Sequence, residues 1–262
     1  MLELKPLDSP FGRAVHGLDI SEGVNRDTCR VLHEALYRHR VLVIKDQTCG
    51  EIPYLEFGRQ WGEPIPHVID THRMLGYPEM LEIGNVTARA KDKLLRNSAA
   101  FWHTDQAYDA DPATTTMLYA RKVPELGGET LIVDMKAAYD DLDAATKQKI
   151  DGLTAKHLYG ATSGRGGEEP TRALNKAQAA ATPPTLHPLV RPHTVTGQKA
   201  LYGVAGTAYG IEGITVDDAD RLISDLKAHC LQDKFIYEHK YTVGDLALWD
   251  TQMTLHSAKP ID

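Results

Sequence analysis

The sequence predicts a mostly β fold of the α+β class, with an antiparallel β core and helices packed on its outside. Two observations support this prediction. Short β-like runs outnumber helical segments, and the two kinds of segment do not alternate strictly along the chain. Of the 262 residues, 42% are hydrophobic and 25% are charged, which is ordinary for a globular domain and allows a sizeable core. Disorder, collagen and coiled coil are therefore excluded as the main organisation.

The predicted helices are indicated by apolar residues at helical spacing and by capping residues. Asn25 is a suitable N-cap for the first helix, and Thr215 caps the clearest late helix. The first turn of that late helix holds Asp217 and Asp218, which suit the positive end of the helix dipole. The predicted helical ranges are 25–39, 51–60, 135–142, 144–150 and 215–229.

The predicted strands are short, and the run at 41–44 is continuously apolar, which suits a buried position. The predicted strand ranges are 13–19, 41–44, 80–86, 114–120, 130–133, 185–191, 199–203, 235–241 and 245–249. The stretch 160–184 is polar and long for a loop, so we expect a lid or a disordered loop there. We expect a single domain that spans residues 1–262.

Charge and cysteine usage narrow the class of protein. The formal net charge is −7, from 29 basic and 36 acidic residues, and no basic stripe is present for nucleic acid. No window approaches the length of a transmembrane helix, and no apolar leader begins the sequence. Three cysteines without a C-x-x-C spacing predict reduced thiols. We therefore expect a cytoplasmic protein with no nucleic-acid or membrane partner, while homo-oligomerisation stays open.

The strongest chemical signal lies at 101–105, Phe-Trp-His-Thr-Asp. On a strand, His103 and Asp105 point to the same face and can present an imidazole nitrogen and a carboxylate oxygen to one ion. His256 is the best late candidate for a third ligand. Two histidines and one carboxylate form the facial triad of non-haem Fe(II) oxygenases, which leaves coordination positions open. By itself, His-x-Asp also arises by chance as a surface strand pair.

Four motifs surround these residues in a fixed order. They are Trp-His-Thr-Asp at 102–105, Gly-Gly-Glu-Thr at 127–130, Leu-His-Pro-Leu-Val-Arg at 186–191, and Trp-Asp at 249–250 followed by His256. Together they resemble the TauD/TfdA family of Fe(II)- and 2-oxoglutarate-dependent dioxygenases, from about residue 10 to the end. The resemblance implies a double-stranded β-helix, or jelly-roll, core. It also implies that His103, Asp105 and His256 are the iron ligands.

The resemblance implies two further binding residues. Thr130 would donate a hydrogen bond to a carboxylate of 2-oxoglutarate, because Gly127 and Gly128 allow a tight turn that aims the following strand inward. The alternative is that the two glycines form a simple hairpin turn. His67 lies five residues after Gly62, where taurine-type enzymes of the family have a substrate-contacting histidine. The alternative is an ordinary loop histidine.

The implied activity is hydroxylation of a small organic acid with release of succinate and carbon dioxide, using Fe(II), 2-oxoglutarate and dioxygen. The substrate would be a small organic anion, such as an amino-acid derivative, a sulfonate or an aryloxyalkanoate. A basic residue such as Arg96 or Arg165 would contact it. Two other classes remain open: a zinc-dependent hydrolase that uses the same three ligands, and a non-catalytic β-barrel binding protein.

One feature of the family is absent from the sequence. Its members carry, on a strand after the distal histidine, an arginine that pairs bidentately with the far carboxylate of 2-oxoglutarate. Nothing follows Asp262 here, and the motif around Arg191 does not match that arginine. We therefore expect that a C-terminal segment is missing from this sequence.

Overall fold

A computed structural model describes residues 2–84, 97, 99–160 and 174–261. Its helices are α1 (Arg26–His39), α2 (Glu51–Arg59), α3 (Met135–Asp141), α4 (Ala144–Ile150), α5 (Lys176–Ala181) and α6 (Val216–Cys230). Its strands are β1 (Glu3–Pro6), β2 (Arg13–His16), β3 (Val41–Ile44), β4 (Arg73–Met74), β5 (Tyr77–Leu81), β6 (Thr115–Tyr119), β7 (Thr130–Asp134), β8 (Thr154–His157), β9 (Thr185–Pro188), β10 (Val190–Pro192), β11 (Lys199–Leu201), β12 (Ala208–Ile211), β13 (Ile236–His239), β14 (Leu246–Asp250) and β15 (Thr254–Ala258).

Two sheets carry the core. One has five strands in the order β1-β2-β3-β14-β6, and the other has three in the order β13-β7-β15. A further three-stranded sheet, β12-β8-β9, and two ribbons, β10-β11 and β4-β5, complete the described strands. Every described pair is antiparallel except β2 with β3. The predicted antiparallel core with helices is confirmed, and the described strands do not close into a barrel.

The five-stranded sheet and the β13-β7-β15 sheet face each other across a buried apolar layer. Residues directly opposite in neighbouring strands share a face, and the register pairs Ile132 with both Tyr237 and His256. On the facing sheet, Ala247 and Trp249 of β14 point into the same layer. Its buried members are Phe11, Val41, Val43, Ile132, Tyr237, Ala247 and Trp249.

The outer faces of both sheets are covered. Alternate residues of β14, Leu246 and Leu248, pack with Leu32 and Leu36 of α1 in a second apolar cluster. On the other side, the outward residues of β7 and β15 join a third cluster that contains α3 and α6. The space between the two sheets is therefore shielded on both sides, and one end of it carries the polar residues of the site.

Most predicted elements are confirmed within one to four residues at their ends. Of the predicted strand 80–86, only Met80 and Leu81 lie in a strand, at the end of β5, and residues 85–86 lie outside the described residues. The predicted N-caps are confirmed, since the Asn25 side chain accepts from the backbone N–H of Thr28 at 2.9 Å and Thr215 caps α6 in the same way. The prediction of a single strand over 185–191 is wrong. The strand is interrupted at Leu189, whose N–H donates to the carbonyl of Leu153, and β9 and β10 lie on either side of it. The structure also contains elements that were not predicted, namely β1, β4, β8, β12, β15 and α5.

The polar stretch 160–184 is only partly described. Residues 161–173 lie outside the described residues, and so do Arg165 and the other suggested basic residue, Arg96. The end of the stretch contains α5, which begins at a capping box between Asn175 and Gln178. The Gln178 side chain also lies 3.4 Å from the carboxylate of Asp70. The described end of this stretch is therefore helical and contacts the segment that carries His67.

The three cysteines, Cys29, Cys49 and Cys230, are free thiols, as the sequence predicts. None of the helices in the described ranges is both long enough and apolar enough to cross a membrane.

Candidate metal and cosubstrate site

The two histidines of the predicted triad are held side by side by the backbone. His103 and His256 form an isolated antiparallel bridge, in which each backbone N–H donates to the carbonyl of the other at 2.9 Å. Their imidazole rings consequently lie 4.2 Å apart between centroids. Because β15 also pairs with β7, the bridge attaches the His-x-Asp segment to the edge of the three-stranded sheet.

Asp105 completes the cluster. Its Oδ1 lies 3.5 Å from Nε2 of His103, and its Oδ2 lies 3.6 Å from Nε2 of His256. The hydroxyl of Thr116, on β6 of the facing sheet, donates to Oδ2 at 2.6 Å. One ligand atom from each of the three residues lies within 4.8 Å of the others. The structure therefore brings together all three residues that the sequence singles out as metal ligands.

The protonation states suit metal binding. Burial alone would raise the pKa of Asp105, but the nearby imidazoles of His256 and His103 and the hydrogen bond from Thr116 outweigh it and hold that pKa well below its usual range. Burial and the nearby His103 lower the pKa of His256 to about 3, although Asp105 acts in the opposite direction. The cluster thus offers an ionised carboxylate and a neutral imidazole, the forms that ligate metals.

The donor set fits Fe(II). Nδ1 of His103 lies 2.7 Å from the carbonyl of Phe101, which fixes the ring and the tautomer and leaves the Nε2 lone pair for an ion. Two imidazole nitrogens and one carboxylate oxygen are the ligands of non-haem Fe(II) sites with open positions. Trp249 packs on His256 with its ring centroid 4.9 Å away. The indole shields this side of the cluster from water.

Thr130 is buried and begins strand β7, one residue after the glycine pair. Gly127 and Gly128 both have φ of +78°, and a Cβ on Gly127 would lie 2.0 Å from the carbonyl oxygen of Pro260. Only glycine fits this turn. The flanking strands β6 and β7 belong to different sheets, so the alternative of a simple hairpin turn is wrong. The turn instead sends Thr130 into the space between the sheets.

Thr130 and His256 lie on the same face of the three-stranded sheet. The register pairs Thr130 with Ala258 and Ile132 with His256, and these two pairs are adjacent on one face. Their separation along the strand is roughly 7 Å. The Oγ1 of Thr130 lies 3.0 Å from the hydroxyl of Tyr241, which also lines the cleft. The hydroxyls of Thr130 and Tyr241 therefore lie next to the metal-ligand cluster, two residues along the strand from His256.

His67 lines the same cleft as the triad and Thr130. The backbone N–H of Ile69 donates to its Nδ1 at 3.0 Å, so Nε2 carries the proton of the neutral ring. Burial lowers the pKa of His67, and the carbonyl of Ile69 and the charge of Asp105, which act in the opposite direction, only partly offset this effect. His67 is therefore a neutral hydrogen-bond donor at the cleft.

Aromatic side chains form a wall of the cleft between His67 and the metal-ligand cluster. Tyr108 and Tyr159 meet edge to face with ring centroids 5.0 Å apart, and Tyr159 also lies 6.5 Å from the His67 ring. Phe101 stacks on His103 at 4.6 Å. Such a wall can hold a flat apolar group next to polar groups that fix its orientation.

Sequence reasoning missed several residues of the site. Thr116 and Tyr241 were not singled out, because a lone Thr or Tyr on a predicted strand carries no motif signal. Their roles depend on pairing between distant strands. Arg191, whose motif does not match the cosubstrate arginine of the family, has its guanidinium 4.8 Å from the ring of Tyr202. Neither Arg191 nor Tyr202 lines the described cleft.

The family model described as "Taurine catabolism dioxygenase TauD, TfdA family" matches residues 3–262. The alpha-ketoglutarate-dependent 2,4-dichlorophenoxyacetate dioxygenase of Cupriavidus pinatubonensis is 30% identical over 274 residues, covering 98% of this chain and 92% of the relative.

Two further comparisons agree with the first. The (S)-phenoxypropionate/alpha-ketoglutarate-dioxygenase of Sphingobium herbicidovorans is 28% identical over 267 residues, covering 99% of this chain and 90% of the relative. A crystal structure of AAD-2 in complex with Mn(II) and N-oxalylglycine has a TM-score of 0.81 and 27% identity, and the match covers 100% of this chain and 92% of that one.

Proposed function

The chain belongs to the TauD/TfdA family, as its motifs predict, and from this premise we propose that it hydroxylates a small aryloxyalkanoic acid at its His103–Asp105–His256 cluster. It is a 2-oxoglutarate-dependent dioxygenase that uses Fe(II) and dioxygen, 2-oxoglutarate being the α-ketoglutarate of its relatives' names. The observation that carries the proposal is the juxtaposition of this cluster with a hydroxyl pair and an aromatic wall in one cleft.

In this proposal, His103, Asp105 and His256 hold the Fe(II). When bound, the iron supplies the redox chemistry, in which dioxygen oxidises 2-oxoglutarate to succinate and carbon dioxide while one oxygen atom enters the substrate as a hydroxyl group. The protein orients the reactants and keeps water away. Thr116 fixes the Asp105 carboxylate, and Trp249 covers His256, so the cluster is rigid before the ligands arrive.

Thr130 is proposed to donate its hydroxyl hydrogen to the far carboxylate of 2-oxoglutarate. Thr130 lies on the same face of the sheet as His256, two residues further along the strand. This position supports the role, since a five-carbon diacid held at the metal extends toward that residue. The glycine turn before Thr130 fixes where the strand starts.

His67 is proposed to contact the carboxylate of the substrate through its Nε2–H. Tyr108 and Tyr159 would pack against the aryl ring, because an aromatic wall favours a flat apolar group. The phenoxy acids in the names of both compared relatives support this substrate class. An amino-acid derivative or a sulfonate would use the carboxylate-binding end of the cleft but leave the aromatic wall uncovered.

We further infer that the two facing sheets form a double-stranded β-helix core in one dioxygenase domain. Their antiparallel strands and shared apolar layer support this architecture.

The free thiols support a reducing compartment such as the cytoplasm.

The test is turnover of the purified chain with Fe(II), 2-oxoglutarate and a panel of phenoxyacetate, phenoxypropionate, taurine and an N-acyl amino acid. We expect succinate release and oxygen uptake that rise together with phenoxyacetate or phenoxypropionate and remain at background with taurine. His103→Ala is the control and should abolish both signals. Equal turnover of taurine would contradict the aryl specificity.

The same preparation discriminates the two other classes. Turnover of an ester with Zn(II) and without dioxygen would support a zinc hydrolase. Unchanged metal content and unchanged ligand binding in His103→Ala would support a non-catalytic binding protein. Either result would overturn the dioxygenase proposal for this site.

A further inference from the structure

The hydroxyl of Tyr241 lies beside Thr130, and we propose that it is a positioning group for cosubstrate binding. In this inference, which rests on the proposed function of Thr130, Tyr241 donates to Oγ1 of Thr130 and so directs the Thr130 proton toward the far carboxylate of 2-oxoglutarate. The two oxygens are 3.0 Å apart, and both residues line the cleft.

The direction of the hydrogen bond follows from the chemistry of the two groups. A phenol is a stronger hydrogen-bond donor than an aliphatic alcohol, because it is the stronger acid. Burial raises the pKa of Tyr241, so its hydroxyl remains protonated and can donate. If Tyr241 donates to Thr130, the proton of Thr130 is left for another acceptor. Within the described residues, Oγ1 of Thr130 has no second hydrogen-bond partner, so that proton can meet a carboxylate.

The ring of Tyr241 is held in place by a buried polar chain. The His239 ring meets it edge to face at 4.3 Å. Nδ1 of His239 lies 2.8 Å from the hydroxyl of Tyr237, and Nε2 lies 3.3 Å from Asp245, which in turn pairs with Lys45. His239 also pairs in register with Thr130 across β13 and β7. The pairing of β7 with β13 thus holds Thr130, and Tyr241, two residues beyond the end of β13, is held by its contact with His239, which preorganises the two hydroxyls.

The experiment measures 2-oxoglutarate binding by isothermal titration calorimetry to the Mn(II)-loaded protein, which does not turn over. Tyr241→Phe removes only the hydroxyl oxygen. We expect it to raise the dissociation constant for 2-oxoglutarate about tenfold, because Thr130 then loses the donor that directs its proton toward the carboxylate, and one well-oriented hydrogen bond is worth about this much. Mn(II) affinity and the melting temperature should stay at wild-type values.

Pyruvate provides a readout that a general structural defect would not spare. It shares the 2-oxo acid end of 2-oxoglutarate but lacks the far carboxylate. Tyr241→Phe should therefore leave the affinity for pyruvate unchanged. Tyr202→Phe is the matched control, since it also removes a buried phenolic hydroxyl, but from a residue outside both the cleft and the polar chain around His239. It should bind 2-oxoglutarate as the wild type does.

A second variant tests whether Tyr241 acts through Thr130. Thr130→Val should itself weaken 2-oxoglutarate binding, and adding Tyr241→Phe should cause no further loss. Thr130→Ser retains the hydroxyl and should retain the dependence on Tyr241.

The outcomes distinguish a failure of the proposed function from a failure of the role inferred for Tyr241. If the wild-type Mn(II) protein does not bind 2-oxoglutarate, the proposed function fails and the inference falls with it. If the wild type binds and Tyr241→Phe binds equally well, the inference alone is overturned. An equal loss of 2-oxoglutarate and pyruvate in Tyr241→Phe would assign Tyr241 a purely structural role and would also overturn it.

Discussion

His103 and His256 exchange a pair of 2.9 Å backbone hydrogen bonds, although the two residues are far apart in the sequence. Neither histidine is placed by a regular hairpin. The short segment that carries His103 adds to the outer edge of β15, and β15 is fixed on its other side by β7. The metal-ligand cluster is therefore assembled only when the three-stranded sheet is complete, so the site depends on long-range pairing.

The first prediction concerns the hydroxyl that orients Asp105. Thr116→Val keeps the shape of the side chain but removes the 2.6 Å hydrogen bond to Oδ2. We expect the affinity for Mn(II) or Fe(II) to fall about tenfold, because groups that hold metal ligands in place contribute on this scale. Equilibrium dialysis with metal analysis measures the change.

Thr115→Val is the matched control for that measurement. Thr115 precedes Thr116 on β6, so its side chain points to the opposite face of the strand. Its metal affinity should equal that of the wild type. Equal losses in both variants would mean that the strand, and not the Thr116 hydroxyl, is responsible.

The second prediction concerns the glycine turn that begins β7. Gly127→Ala introduces a Cβ 2.0 Å from the carbonyl oxygen of Pro260, at a residue with φ of +78°. We expect the free energy of unfolding in urea to fall by about 3 kcal/mol, more than positive φ alone costs. The affinity for 2-oxoglutarate should fall as well, since Thr130 follows this turn.

Gly213→Ala measures the destabilisation caused by a positive φ alone, without a steric clash. Gly213 has φ of +72° and has no atom within 4 Å of an added Cβ. Its free energy of unfolding should fall by only about 1 kcal/mol. If the two variants lose the same stability, the contact with Pro260 has no energetic importance.

The third prediction concerns the buried carboxylate of Asp245 and its ion pair with the partly exposed Lys45. Burial alone would raise the pKa of Asp245, but hydrogen bonds from His239, Lys45 and Thr242 outweigh it and hold that pKa well below its usual range. A lowered carboxyl pKa contributes stability above the unfolded-state pKa of about 4, and this contribution is lost as the pH falls below that value. Asp245→Asn should therefore unfold about 3 kcal/mol more easily at pH 7.

The pH dependence distinguishes this charge effect from a loss of packing. The stability difference between Asp245→Asn and the wild type should stay constant from pH 7 to about 5 and narrow as the pH falls further. Asp140→Asn, which removes an exposed pair with Lys136, should change the free energy of unfolding by less than about 1 kcal/mol at every pH. A difference for Asp245→Asn that does not narrow in acid would contradict the assignment.

Elements with strong local signals were predictable from the sequence. The run at 41–44 becomes the buried central strand β3, because four consecutive apolar residues suit a strand with both faces covered. Helices α1 and α6 were predictable because Asn25 and Thr215 are good N-caps that precede apolar residues at helical spacing.

The strand that carries His256 was not predictable in the same way. The sequence of β15, Thr-Leu-His-Ser-Ala, is short and largely polar, so its local strand signal is weak. It becomes a strand because β7 pairs with it on one side and His103 on the other. His256 was found as a candidate ligand only because His103 and Asp105 required a partner and a family motif supplied its position.

The contacts that complete the site lie beyond sequence reasoning altogether. Thr116 reaches Asp105 from the opposite sheet, and Tyr241 reaches Thr130 from the end of β13. Each contact depends on which strands are neighbours and in which register. Residue type and spacing indicate the metal ligands, whereas the groups that orient them are determined by the fold.

The measurement that tests the central claim most directly is an anaerobic titration of the protein with Fe(II) and 2-oxoglutarate, followed by visible absorption. Joint binding of Fe(II) and the 2-oxo acid at one site gives a charge-transfer band. The wild type should develop this band and saturate at one equivalent of iron, while His256→Ala should give none. A wild type without the band, or His256→Ala with an equal band, would contradict the assignment of iron to this cluster.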